Sequence, residues 1–352
     1  MAKHESCQID DRNVIGYSPL MLPHDLKSTV PLTKGSYGTV EGCRESIKAI
    51  LNGKDERTLL VIGPCSIHDI DVAKDYADRL NALRKEVEGT FVITERTYFE
   101  KPRTTVGWKG LINEPHLDGQ EKVNEGLVIA RKVLAYNAKI GLPSATEFLD
   151  PFTPQWIADL ISWAGIGART VQSPTHRQMA SGLSMPVGFK NGTTGDVQVA
   201  IDAVIAASKP QWFFGLDQSG KPSVVRARGN PDTHIVLRGG KSGANYDTAS
   251  VKVVQEMLRK HNLPPKVMID CSHGNSGKDY TLQPAVFENV IKQISEGNKG
   301  IMGIMLESNI NLGRQDIPKD QKALQYGVSV TDACIGWDTT ERIVMDAYRK
   351  LR

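Results

Sequence analysis

The sequence predicts an α/β fold, a (β/α)8 TIM barrel with an N-terminal extension and an inserted β-hairpin. Three observations favour this class. Eight short apolar segments alternate with amphipathic helical stretches, which is the pattern of a parallel sheet wrapped by helices. The apolar segments are almost continuously hydrophobic, as strands buried on both faces require. No GxGxxG motif follows the first strand, which argues against a doubly wound open sheet, the competing class.

The first strand, residues 59–65, is an apolar run that ends at Gly63-Pro64 and places Cys65 at its exit. The segment that follows, 71–87, carries apolar residues at helical spacing. By the same criteria the later strands are predicted at 91–98, 144–148, 166–169, 186–190, 234–238, 266–270 and 301–306. The later helices are predicted at 123–138, 154–163, 196–208, 248–261, 284–296 and 340–351.

Two segments lie outside this alternation. Residues 1–50 precede the first strand and are rich in Pro, Gly and Ser up to about Val40, so we expect an N-terminal extension that makes oligomer or regulatory contacts. Residues 211–227 hold two apolar runs separated by Asp217-Gln218-Ser219-Gly220, which predicts a regulatory β-hairpin inserted before the sixth strand. The rest of 51–352 is assigned to the barrel.

Composition narrows the class of partner. The chain has 352 residues, 40% of them hydrophobic, without an apolar run near the roughly 18 residues that span a membrane. The net charge is only +3 and the basic residues form no long run, so neither nucleic acid nor a membrane is expected as a partner. No secretory signal is visible. An odd, widely spaced set of cysteines favours a reducing, cytoplasmic location: Cys7, Cys43, Cys65, Cys271 and Cys334.

Basic residues recur where the strands end. In a closed barrel these exits converge on one mouth, and like charges gathered there repel each other unless an anion lies among them. Arginine matches phosphate and carboxylate oxygens with two parallel hydrogen bonds. We therefore predict a polyanionic substrate, or two of them, held by Arg96, Lys101, Arg103, Arg169, Lys190 and Arg238.

A second set of exit residues has the chemistry of metal ligands. Cys65, His273 and Glu307 follow the first, seventh and eighth strands, which are neighbours in a closed barrel, and Asp332 lies just beyond the eighth. Thiolate, imidazole and carboxylate groups suit a divalent transition metal without selecting one. The rival chemistry is a nucleophilic dyad of Cys65 with His68 or His273.

Several long motifs stand at the strand exits. They are GPCSIHD at 63–69, EKPRTTVGWKG at 100–110, GFKNGT at 188–193, LRGGK at 237–241, DCSHGNS at 270–276, and the ESN and TDACIGW pair near the C-terminus. Together they closely resemble the motifs of the type I 3-deoxy-D-arabino-heptulosonate 7-phosphate (DAHP) synthase family of bacteria and fungi. The resemblance runs from about residue 10 to the end of the chain. It implies condensation of phosphoenolpyruvate with erythrose 4-phosphate, the first step of the shikimate pathway.

The resemblance also assigns roles by position. It implies one divalent metal ion per subunit, Mn²⁺, Fe²⁺, Co²⁺ or Zn²⁺, held by Cys65, His273, Glu307 and Asp332. It implies that phosphoenolpyruvate is bound by Arg96, Lys101, Arg169, Lys190 and Arg238. Erythrose 4-phosphate would be bound by Lys101, Pro102, Arg103 and Thr104. Lys101 would help to stabilise negative charge on the aldehyde oxygen, and the carrier of the catalytic protons stays open.

The family is commonly feedback-inhibited, so the resemblance implies an aromatic amino acid effector, with tyrosine favoured and phenylalanine possible. The matching effector positions are Asp10, Asp11, Pro151, Gln155, Ser184, Phe213 and Val225. It implies a homodimer or a homotetramer. Two other functions compete: a related phosphoenolpyruvate-dependent synthase of an eight- or nine-carbon sugar acid, and a non-catalytic barrel that senses an aromatic amino acid.

Overall fold

A computed structural model describes residues 9–352, so Cys7 lies outside the described residues. Eight parallel strands close into a barrel in the order β1-β10-β9-β8-β5-β4-β3-β2, which confirms the predicted fold class. The barrel strands are β1 (Thr58–Gly63), β2 (Phe91–Arg96), β3 (Ser144–Glu147), β4 (Trp163–Ile166), β5 (Val187–Lys190), β8 (Thr233–Leu237), β9 (Val267–Asp270) and β10 (Ile301–Glu307).

Helices follow the strands and cover the outside of the barrel. Among them, α3 begins where the Asp69 side chain accepts hydrogen bonds from the backbone N–H groups of Asp71 and Val72. The helices are α1 (Pro23–Thr29), α2 (Lys34–Leu51), α3 (Ile70–Val87), α4 (Val123–Ile140), α5 (Pro154–Ile157), α6 (Pro174–Ser181), α7 (Gln198–Ala207), α8 (Thr248–Lys260), α9 (Gln283–Ser295) and α10 (Trp337–Leu351).

The fourth barrel strand differs from its prediction. We expected a helix through residue 163 and a strand at 166–169, but the helix breaks into α5 and the short 3-10 turn Ala158–Leu160, and β4 begins at Trp163. The reason is tertiary: the Trp163 indole points into the barrel, where its Nε1 donates to His234 Nε2 at 2.9 Å. Helices α1, α2 and α6 were not predicted either.

Helix α2 seals the N-terminal end of the barrel. It begins with Thr33, whose side chain accepts from the Ser36 backbone N–H. Its Arg44 guanidinium donates to the carbonyl oxygens of Ala158 and Ile161, at 2.8 and 2.8 Å. Its apolar side chains join one buried cluster with inward-facing strand residues: Cys43, Ile47, Ile50 and Leu51 with Leu59, Val61, Val92, Ala145, Trp163, Val236, Met268, Met302 and Met305.

The inside of the barrel changes character along its axis. Along each strand, residues point alternately into the barrel and towards the helix layer. Every second residue beyond an inward-facing residue of this apolar cluster therefore also faces inward. Those positions are occupied by charged side chains at the C-terminal ends of the strands: Arg96, Glu147, Lys190, Asp270 and Glu307, all buried. The apolar floor and the charged mouth are therefore built by the same strands.

The inserted hairpin is confirmed. Strands β6 (Gln211–Leu216) and β7 (Pro222–Ala227) pair antiparallel in a separate two-stranded sheet between β5 and β8. Its outer face is apolar and exposed, with Trp212 and Phe214 standing out to solvent. Within residues 9–352, no helix is both long enough and apolar enough to cross a membrane.

Candidate active site

Three of the predicted metal ligands meet at the barrel mouth. Cys65 follows β1, Glu307 ends β10 and Asp332 lies in the loop before α10, and one ligand atom from each lies within 4.8 Å of the other two. Because β1 and β10 are hydrogen-bonded neighbours, Gly63 and Glu307 occupy the same register position, which brings the thiol and the carboxylate together. Cys65 and Glu307 are buried and Asp332 is exposed, so the group opens to solvent on one side.

His273, the fourth predicted ligand, lies beside this group but outside that mutual distance. Its Nε2 is 3.8 Å from Glu307 Oε1, and its Nδ1 is 2.9 Å from Asp270 Oδ2. A thiol and two carboxylates that meet, with an imidazole beside them, match the ligand preferences of divalent transition metals. The residues present therefore fit a metal ion.

A buried ion pair links this group to the substrate side of the mouth. Arg96 Nη2 lies 2.6 Å from Glu307 Oε1 and 3.2 Å from the Cys65 carbonyl oxygen. Burial alone would raise the pKa of Glu307, but the charges of His273 and Arg96 outweigh it and lower that pKa to about 2. Glu307 is therefore a carboxylate at neutral pH, as a metal ligand must be.

Lys101 contacts the thiol directly. Its Nζ lies 3.2 Å from Cys65 Sγ. Burial raises the pKa of Cys65 and Glu307 raises it further, while Lys101 acts in the opposite direction. A thiol with a raised pKa is a weak nucleophile unless a base or a cation activates it. Burial also lowers the pKa of His68. These environments favour a metal ligand over a nucleophilic dyad.

The aromatic ring of Tyr98 lies beneath the cations of the mouth. The Arg96 guanidinium carbon lies 3.5 Å above the centre of its ring, the Lys190 Nζ at 5.5 Å and the Lys101 Nζ at 6.0 Å. The negative face of an aromatic ring attracts cations. Burial raises the pKa of Tyr98 to about 12, so the phenol stays neutral. One ring thus gathers three of the predicted anion-binding groups.

Lys190 is buried between two carboxylates that the sequence analysis did not select. Its Nζ lies 3.2 Å from Glu147 Oε2 and 3.6 Å from Asp270 Oδ2. Burial alone would lower the pKa of Lys190, but these charged neighbours raise it above its usual value. The ammonium is therefore positive before any anion arrives.

Arg238 is positioned by an asparagine network. Its backbone N–H donates to Asn191 Oδ1 at 2.8 Å, and the Asn191 amide donates to the Gly239 carbonyl at 3.0 Å. Gly239 has a φ of +66°, and a Cβ there would lie 2.4 Å from the Gly274 carbonyl carbon. Glycine is therefore required where the Arg238 loop packs against the loop that carries His273.

The loop predicted to take the aldehyde substrate forms the outer wall. Lys101 and Pro102 are half-buried, whereas Arg103 and Thr104 are exposed. Arg169 Nε donates to Thr104 Oγ1 at 3.2 Å, which ties the loop to the exit of β4. The structure thus places Arg96, Lys101 and Lys190 around Tyr98, and joins Arg169 to this loop.

Two of the predicted effector residues belong to the hairpin. Phe213 and Val225 are register partners in β6 and β7, and both are half-buried. The hairpin turn reaches α5, because Gln218 Nε2 donates to Gln155 Oε1 at 2.8 Å. Three predicted effector positions thus lie on two elements in direct contact.

The other predicted effector positions lie outside the contact between the hairpin and α5. Pro151 lies just before α5, and Ser184 lies in the loop after α6. A Cβ at Gly182 would lie 3.7 Å from the Phe213 ring, so this loop runs beside the hairpin. Asp10 and Asp11 lie exposed in the segment before α1.

The chain is similar to known proteins over almost its whole length. Residues 31–345 match the model of the DAHP synthetase I family. The chain is 51% identical over 332 residues to the Tyr-sensitive phospho-2-dehydro-3-deoxyheptonate aldolase of Escherichia coli K12, covering 94% of this chain and 93% of that protein. It is 50% identical to the Phe-sensitive protein of the same organism, covering 96% of each chain.

Similarity extends to a fungal protein and to a solved structure. The tyrosine-inhibited aldolase of Schizosaccharomyces pombe is 46% identical over 98% of this chain and 93% of its own length. The structure of the phospho-2-dehydro-3-deoxyheptonate aldolase from Francisella tularensis SCHU S4 superposes with a TM-score of 0.93 at 45% identity, covering 97% of this chain and all of that one.

Proposed function

The chain belongs to the DAHP synthetase I family, and we propose that its barrel mouth binds phosphoenolpyruvate beside a divalent metal ion and presents it to erythrose 4-phosphate. The enzyme condenses these two substrates to DAHP and phosphate. C3 of the enol joins the aldehyde carbon, water adds at C2, and phosphate leaves by C–O cleavage.

One observation carries the assignment of this reaction to the mouth. The anion-binding cations and the metal-ligand group are joined by the 2.6 Å contact of Arg96 with Glu307. A phosphoenolpyruvate held by Arg96, Lys101, Arg169, Lys190 and Arg238 would therefore lie next to the metal group. The clustered positive charge also lowers the cost of bringing two phosphate-bearing substrates together.

We assign the metal to Cys65, His273, Glu307 and Asp332. When bound, a divalent ion supplies Lewis-acid stabilisation of the negative charge that grows on the aldehyde oxygen. We assign Lys101 an assisting role, because its ammonium contacts Cys65 at the metal group and belongs to the loop that would receive the aldehyde substrate. Arg103 and Thr104, exposed on that loop, would bind the phosphate of erythrose 4-phosphate.

We assign feedback inhibition to the contact between the hairpin and α5, with tyrosine favoured over phenylalanine. The apolar ring of Phe213 and the side chain of Val225 would pack on the effector's ring, while Asp10 and Asp11 of a neighbouring subunit would bind its ammonium group. Tyrosine-sensitive and phenylalanine-sensitive relatives both support an aromatic effector. Assembly as a homodimer or a homotetramer is part of the same proposal.

The test is an assay of the protein stripped with a chelator and resupplied with Mn²⁺. Loss of phosphoenolpyruvate is followed with and without erythrose 4-phosphate, then with tyrosine, phenylalanine or tryptophan added. We expect consumption that needs both the metal and the aldehyde, and suppression by tyrosine. Consumption that persists in the chelator would contradict the metal assignment. Suppression by phenylalanine alone would contradict the choice of effector.

A further inference from the structure

We propose that Asp270 is a positioning residue that orients two functional groups at once: His273 at the metal site and Lys190 at the phosphoenolpyruvate site. The inference rests on the proposed function. Asp270 is the last residue of β9, faces into the barrel and is fully buried. It lies 2.9 Å from His273 Nδ1 through Oδ2, and the same oxygen lies 3.6 Å from Lys190 Nζ.

The other oxygen of Asp270 fixes the intervening serine. Asp270 Oδ1 accepts from the Ser272 backbone N–H at 3.0 Å and from the Ser272 hydroxyl at 2.8 Å. The Ser272 Oγ also lies 2.6 Å from His273 Nδ1. Because the single hydroxyl proton is donated to Asp270, the oxygen accepts at the imidazole contact, and Nδ1 must carry the ring proton.

The hydrogen bond at Nδ1 determines whether Nε2 of the His273 ring can bind a metal. In the neutral ring that binds a metal, a proton on Nδ1 leaves the Nε2 lone pair free, and Nε2 is the atom that faces Glu307 Oε1 at 3.8 Å. Metal-binding histidines commonly donate their second N–H to an outer partner that fixes the tautomer and the ring plane. Here that partner is Ser272 Oγ, which Asp270 holds through its own hydrogen bond, while Asp270 Oδ2 lies at ion-pair distance from Nδ1. His273 also has a φ of +55°, a conformation that side chains other than glycine rarely adopt. Asp270 and Ser272 hold the ring in place there.

On its other side Asp270 shares Lys190 with Glu147. Glu147 lies 3.2 Å from Lys190 Nζ, and the ion pairs of the described residues do not join it to His273. Ser272, conversely, contacts His273 and Asp270. Asp270 thus belongs to both arms, while Ser272 belongs to the metal arm and Glu147 to the lysine arm. Three substitutions can separate the two effects.

The experiment measures two binding constants that do not require turnover. The first is the Kd of Mn²⁺, from competition with a fluorescent chelator. The second is the Kd of phosphoenolpyruvate for metal-free protein in EDTA, by calorimetry. For Asp270→Asn we expect Mn²⁺ binding to weaken by about 10–100-fold, the range for outer partners of metal ligands. Phosphoenolpyruvate should bind about three- to tenfold more weakly, because Lys190 loses one of the two carboxylates that hold its ammonium in place.

The matched variants split this result. Ser272→Ala should weaken Mn²⁺ and leave phosphoenolpyruvate within about twofold. Glu147→Gln should do the reverse. Side-chain ¹⁵N shifts of the metal-free protein should show His273 protonated on Nδ1 and altered in Ser272→Ala, a signature that a merely structural serine would not change. Thermal unfolding checks that each variant is folded, and if Asp270→Asn is not, the Ser272 and Glu147 variants still decide the two arms.

Two kinds of failure are distinguishable. If the wild type binds neither Mn²⁺ nor phosphoenolpyruvate, the proposed function fails. If it binds both and a folded Asp270→Asn variant matches it within twofold, only the role of Asp270 is overturned. A Ser272→Ala variant that loses phosphoenolpyruvate, or a Glu147→Gln variant that loses Mn²⁺, would likewise contradict the separation of the arms.

Discussion

The two ends of the barrel interior use the same strands for opposite purposes. At the N-terminal end the inward side chains are apolar and α2 covers them. A short distance along the same strands, the inward side chains are charged, buried and paired with each other around Tyr98. The difference teaches that strand alternation fixes which residues point inside, while the position along the strand decides whether they stabilise the fold or carry chemistry.

The largest expected effect tests this contrast with one substitution made at each end. Cys65→Ala should lower metal-dependent turnover by more than about 100-fold and leave the barrel folded. This exceeds the loss expected when a residue that only supports a metal ligand is removed. Cys43→Ala, which removes a buried thiol of α2, should cost about 1 kcal/mol of unfolding free energy and leave turnover intact. Activity with added Mn²⁺ and urea unfolding are measured on both. Full activity in Cys65→Ala would remove the thiol from the ligand set.

The second prediction concerns only the apolar cluster under α2. Ile47→Ala removes a fully buried side chain of α2 and should lower the free energy of unfolding by about 2–5 kcal/mol. The Kd of Mn²⁺ should not change, because Ile47 belongs to the apolar cluster under α2 and none of the predicted metal ligands does. Urea denaturation and chelator competition measure the two quantities. A weaker Mn²⁺ affinity at temperatures where the variant is folded would show that the two ends are coupled.

The third prediction uses a carboxylate on the outer side of the strands. Glu95 on β2 is buried, with Asn137 as its hydrogen-bond donor at Oε2, and burial raises its pKa to about 8. The folded state therefore holds a proton that the unfolded state releases near pH 4.5, so this group's contribution to stability falls as pH rises from about 5 to 8.

Glu95→Gln should remove that loss. Relative to wild type, the variant should gain at least about 1.4 kcal/mol of unfolding free energy between pH 6 and pH 8.5, the equivalent of one pKa unit. Urea unfolding at both pH values measures it. The exposed Glu288→Gln change is the control and should leave the pH slope unaltered. An unchanged slope in Glu95→Gln would show that Glu95 is ionised in the folded protein.

The smallest effect is expected at the rim of the mouth. Thr104→Val keeps the shape of the side chain but removes the hydroxyl that accepts from Arg169. The KM for erythrose 4-phosphate should rise by about two- to tenfold, the value of one hydrogen bond, with a smaller change in kcat. Steady-state kinetics with each substrate varied measures this. A larger rise in the KM for phosphoenolpyruvate would instead assign Thr104 to the other substrate.

Much of the fold could be predicted because buried parallel strands leave a strong local signal. The prediction of the fourth strand was wrong because Trp163 fits a helix pattern as well as a strand pattern. Only its hydrogen-bond partner His234, far along the chain, decides between helix and strand. Helix α2 was not predicted because Gly35, Gly38 and Gly42 weaken its local helical signal. Its stability comes from the barrel floor that it covers.

The candidate site divides in the same way. Residues in long motifs, such as Cys65 and Glu307, could be selected from the sequence. Glu147, and Asp270 although it begins the motif DCSHGNS, were not selected, because the role of each depends on what lies beside it in space. One signal was available: in strands this apolar, a carboxylate at an inward position must have a partner. Glu147 and Asp270 lie at such inward positions of β3 and β9.

The closing pair of strands has a consequence for how the chain is made. Helix α2 and β1 leave the ribosome early, yet the wall that α2 covers includes Met268 and Met305, and β1 pairs with β10. Contacts so distant in sequence form slowly, so a growing chain carries Ile47 and Ile50 without their final partners. The arrival of β10 completes the wall under α2 and sets Glu307 beside Cys65. A chain released before that strand would possess neither a sealed barrel nor a metal site.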